Sequence, residues 1–66
     1  MEKYVSKETF YTKCLINNKE YPILVIKNID YILTGIKKDE IFLKDNNVDI
    51  TIVVTKDMLN NQFIKV

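Results

Sequence analysis

The run Val48-Asp49-Ile50-Thr51-Ile52-Val53-Val54-Thr55 restricts the possible folds of this chain more than any other stretch. In an extended ribbon, successive side chains point to opposite faces. Val48, Ile50, Ile52 and Val54 therefore share one face, and Asp49, Thr51 and Thr55 share the other. β-Branched side chains suit such a pleated surface, so the run is predicted to be a half-buried strand. Val53 breaks the alternation by placing an apolar side chain on the polar face. That defect implies a second covered surface.

Sixty-six residues hold one small domain. Residues 9–66 are assigned to it, and the mostly polar residues 1–8 to a tail or a short helical turn. A chain of this size buries only about 60% of the surface its unfolded form exposes, so it needs further stabilisation. Cys14 is the only cysteine and histidine is absent, which excludes an internal disulfide and a zinc site. A tightly packed barrel, self-association, or both are left. A hydrophobic share of 47% is high for so little interior, and it argues against disorder.

The net charge of +1 gives no strong steering toward nucleic acid, membranes or acidic substrates. All ten basic residues are lysine; with abundant isoleucine and asparagine, this points to AT-rich codons and a low-GC bacterial or phage origin. No segment has the apolar core of a signal peptide or the roughly 20 apolar residues of a membrane helix. With its unpaired cysteine, the chain is expected to be cytoplasmic and to have no membrane partner.

Before the opening run, Phe10, Thr12, Cys14 and Ile16 alternate with Tyr11, Lys13 and Leu15, which predicts a first strand. Asn17-Asn18-Lys19 supplies a turn, because asparagine tolerates positive φ. Residues 20–27 form a second strand. Pro22 lacks a ladder N–H, which places that strand at an edge or a bulge. A turn at Lys27-Asn28 leads to a third strand over residues 29–36, where Gly35 marks a bulge or sharp twist. Lys37-Lys38-Asp39 turns into a short fourth strand, residues 40–44, and Asp45-Asn46-Asn47 turns into residues 48–55. After that the period changes. Thr55 can cap a helical turn, Asp57 favours its positive end, and Met58 and Leu59 can cover the open end of a sheet. Asn60-Asn61 ends the turn, and residues 63–66 read as a last strand. A meander, a helical turn and a closing strand resemble the architecture of SH3-like small barrels. The expected fold is thus an all-β, mostly antiparallel barrel of five to six strands. The aromatic motifs that grip proline-rich peptides are missing, since there is no tryptophan and no Ala-Leu-Tyr-Asp-Tyr segment. Peptide binding of that kind is not implied.

Few residues suggest chemistry. Asp45, Asn47 and Asp49 have the spacing that opens an EF-hand loop. However, Ile50 stands where glycine is required and Lys56 where a bidentate glutamate is required. A polar turn explains the three residues, and no metal is expected. Cys14 has no histidine to activate it, and its position in the alternation makes it a small buried hydrophobe. Asp39 and Glu40 are adjacent and point apart. No enzyme and no cofactor are expected.

Two contact surfaces can be drawn. Tyr11 with Lys13, Lys37 and Lys38 could stack bases and hold phosphates of single-stranded nucleic acid, although nine carboxylates intersperse the lysines. Ile23-Leu24-Val25-Ile26, Tyr31-Ile32-Leu33 and Ile52-Val53-Val54 carry more apolar side chains than one core requires. Leu24, Ile26, Tyr31 and Val53 are accordingly expected to form an exposed contact face. Residues 1–8 or the Met58-Leu59 turn could instead cover it. The favoured expectation is a non-enzymatic interaction module, acting as a homo-oligomer or as a small regulatory or structural subunit bound to another protein.

Overall fold

The computed structural model describes residues 2–66. The elements are β1 (Lys3–Ser6), β2 (Phe10–Ile16), β3 (Lys19–Val25), β4 (Asp30–Lys37), β5 (Glu40–Asp45), β6 (Thr51–Thr55), α1 (Lys56–Gln62) and β7 (Phe63–Lys65). The strands form one antiparallel sheet in the order β3-β2-β6-β5-β4-β1-β7. β4, β5 and β6 are the expected meander. β3 and β7 lie at opposite edges, so the sheet is not closed into a hydrogen-bonded barrel.

Local chemistry sets the turns. Asn17 and Asn18 take φ of 53° and 64° between β2 and β3, the two-residue hairpin turn suited to strand twist. Asn28 (φ 70°) turns the chain toward β4, and Lys38 (φ 56°) toward β5. Pro22 lies in edge strand β3, where a missing N–H is tolerated. At the Gly35 bulge, Leu33 pairs with Leu43 and Gly35 with Phe42, leaving Thr34 as the extra residue. The Thr34 hydroxyl donates to the Phe42 carbonyl at 3.2 Å. Because of this extra residue, Leu33 and Ile36 both meet core-facing partners, Leu43 and Ile41.

Three expectations need correction. Residues 3–6 are neither tail nor helical turn: β1 lies between β4 and β7. Its alternation is too short to read in the sequence, and one of its two inward residues is the polar Ser6. The strand expected over residues 48–55 begins only at Thr51. The Asp45 carboxylate accepts the Asn47 N–H at 2.8 Å, which draws the backbone out of the ladder and leaves Val48 exposed. Finally, α1 runs through Asn60 and Asn61 to Gln62. Its start is as expected, with the Met58 N–H donating to the Thr55 hydroxyl at 3.1 Å.

The core lies on one face of the sheet. Tyr4, Cys14, Val25, Tyr31, Ile41, Leu43, Ile52, Val54 and Phe63 are buried there, with Met58 and Leu59 of α1 packed against them. Phe63 stands edge-on to Phe10 (centroids 5.6 Å apart) and to Tyr31 (5.8 Å). Side chains thus join β7 to β2, which no backbone pairing connects.

Candidate functional site

Direct cross-strand partners share a face, so the register defines the surface opposite the core. Lys13 faces Val53, Val53 faces Phe42 and Phe42 faces Gly35, forming a row across β2, β6, β5 and β4. Val53 belongs to this outer row and is still only 3% exposed. Its cross-strand neighbours on this face are Lys13 and Phe42. The Lys13 ammonium above this row meets Glu20 Oε2 at 3.0 Å and Glu40 Oε2 at 3.1 Å. Hydrogen bonds to Glu20 first, and then to Glu40, hold it above the ordinary lysine range. β3, β2 and β5 are thereby linked over the outer face.

The structure divides the expected contact face. Leu24 (41% exposed) and Ile26 (50%) are at the surface, and Leu24 faces Tyr11 across the hairpin. Tyr31 (4%) and Val53 (3%) are buried within the chain and offer no exposed contact. Tyr31 turns inward opposite Tyr4 of β1, a strand whose alternation is too short to mark in the sequence. Burial, followed by the Asp45 charge, pushes its hydroxyl up to about 12.

Tyr11 is 75% exposed and Lys13 lies on its face. Lys37 is the cross-strand backbone partner of Glu40, whose carboxylate binds Lys13, and Lys38 is in the neighbouring turn. Tyr11, Lys13 and Lys37 are thus brought to one face, but Glu40 stands among them. Cys14 is buried. Among the described residues no group of His, Cys, Asp and Glu side chains is placed to hold a metal ion, and no helix is long and apolar enough to cross a membrane.

One feature gave no sequence signal. The pairing of β2 with β6 covers only Lys13 with Val53, Cys14 with Ile52 and Leu15 with Thr51. Beyond Lys13 the strands separate, and the Thr12 hydroxyl donates to the Val53 carbonyl at 2.6 Å. A mainly apolar cleft of about 300 Å³ opens there, lined by Tyr11, Val53, Val54 and Met58 with Thr12, Lys13, Glu40 and Thr55. These side chains come from four separate elements, so no local motif encodes the cleft. The chain matches no protein-family model, no curated protein and no solved structure.

Proposed function

We propose that this chain is a non-enzymatic interaction module, a small β domain that binds another protein or a second copy of itself. The observation that carries this reading is the exposed apolar group on the β2–β3 hairpin, where Leu24 lies opposite Tyr11 and Ile26 follows. Burying each aliphatic side chain at an interface would contribute about 1.5–3 kcal/mol before association costs. That is large beside the stability of so small a domain. The strand order, with a helical turn before the last strand, fits an SH3-like barrel left open at one seam. Light scattering over a range of concentrations tests the self-associating form. A concentration-dependent dimer that Leu24→Ser with Ile26→Ser returns to monomer is expected. A monomer that binds no apolar dye would remove that form.

A second reading, single-stranded nucleic-acid binding, is supported by the exposed Tyr11 on the face that carries Lys13 and Lys37. It requires binding at low salt that weakens steeply as salt rises, with Lys37→Ala lowering the salt slope by about one unit. The pairing of Lys13 with two carboxylates makes it the weaker reading.

A further inference from the structure

We infer that the cleft between β2 and β6 is a recognition site for an uncharged, extended peptide segment of a partner protein, with one large apolar side chain inserted against Val54 and Met58. This rests on the interaction-module reading and specifies its site. The register shows which backbone groups line the gap. The two-residue turn makes Ile16–Lys19 a hydrogen-bonded pair, so Phe10, Thr12 and Cys14 point their N–H and C=O groups at β3, and Tyr11 and Lys13 point theirs at β6. On the other side, the Asp45 N–H donates to the Ile50 carbonyl at 2.9 Å, so Ile52 and Val54 face β5, and Val53 and Thr55 face β2. The next rung beyond Lys13–Val53 would join Tyr11 to Thr55. Among the described residues this rung is not made. The backbone groups that would form it stand at the mouth of the cleft.

Charge complementarity selects the occupant. Lys13 at the rim is held by Glu20 and Glu40, and Lys37 faces Glu40 across the β4–β5 pairing, so two ammonium groups stand against two carboxylates and the rim offers no free countercharge to an anion or a cation. The missing rung leaves the Tyr11 N–H and C=O and the Thr55 N–H without a ladder partner, the Thr55 carbonyl being the one that begins α1, and a peptide unit supplies both an acceptor and a donor to meet them. The cleft itself, about 300 Å³ and mainly apolar, has room for a bulky aliphatic or aromatic side chain. Strand addition of this kind draws affinity from the main chain and specificity from the pocket.

The test is selection of a random twelve-residue peptide library displayed on phage against the folded protein, with Tyr11→Ala as the counter-target. Tyr11 is largely exposed, so this variant is expected to keep the wild-type circular dichroism spectrum. The wild-type protein is expected to enrich uncharged sequences with one large apolar residue, and Tyr11→Ala to bind them at least tenfold more weakly. Titrating a selected synthetic peptide into ¹⁵N-labelled protein is expected to shift the Tyr11 and Thr55 amides. Enriched peptides that are strongly charged, or that shift Leu24 and Ile26 and spare Tyr11 and Thr55, would overturn the cleft and leave the interaction module standing. If no peptide is enriched, the cleft falls, and a dye-negative monomer in the same preparation removes the self-associating module as well.

Discussion

The Ser6 hydroxyl donates to the Ile26 carbonyl at 2.6 Å, tying the end of β1 to the connection between β3 and β4. The same oxygen accepts the Ile29 N–H at 3.0 Å, and the Ser6 backbone exchanges bonds with Asn28 and Ile29 at 2.7 and 3.1 Å. The side chain is fully buried and satisfied as donor and acceptor. Replacing it with alanine removes the side-chain partner of both loop groups at a position that is itself fully buried. Ser6→Ala is expected to lower stability by about 1–3 kcal/mol, read as a lower urea midpoint with an unchanged m-value.

Tyr31 gives the domain an alkaline limit. Its folded-state value, about 12, lies above the ordinary tyrosine value of 10.0, so the folded state favours the neutral phenol. That stabilisation is complete below the unfolded value and is lost as pH rises through the folded one. Stability is expected to fall between pH 10 and about 12. Tyr31→Phe should flatten this decline, and denaturant midpoints measured across the interval would show it.

Lys13 and Val53 face each other and should respond very differently to substitution. The Lys13 bridges are solvated, and Met in its place keeps an apolar stem on the face that Val53 shares, so Lys13→Met is expected to leave the melting temperature nearly unchanged. Val53→Asp places an unpaired charge in a buried position and is expected to unfold the domain. Thermal melts of the two variants distinguish outer-face burial at Val53 from an exposed contact role.

Thr55 both ends β6 and caps α1. Thr55→Ala removes the acceptor for the Met58 N–H and should cost about 0.5–2 kcal/mol, while Thr55→Ser should recover most of the loss. Thermal melts followed by circular dichroism measure both.

Gly35 sits at the bulge without needing a glycine backbone. Its φ is not positive, and an added Cβ would meet Phe42 Cδ2 at 3.7 Å, an ordinary contact. Gly35→Ala is therefore expected to be neutral or to stabilise by about 0.4–1 kcal/mol through the unfolded state. A clear loss in the urea midpoint would show that the bulge depends on glycine.

The sequence alone determined the features that depend on near neighbours. Alternation over Phe10 to Ile16 and Val48 to Thr55 marked two strands, the second of which begins at Thr51, paired asparagines marked the hairpin, Pro22 marked an edge, and Thr55 marked the helix start. Each follows from backbone preference or side-chain period within a few residues. Only the tertiary structure decided which apolar side chains are exposed. Leu24 and Ile26 are at the surface, whereas Tyr31 is buried opposite Tyr4 and Val53 is buried between Lys13 and Phe42 in the sheet. The cleft depends on a Thr12 bond to a residue 41 positions away, and β1 is tied to its surroundings through Ile26, 20 positions from Ser6. A strand's pattern identifies the faces it has. What covers each face depends on partners distant in the chain, whose pairing no local propensity records.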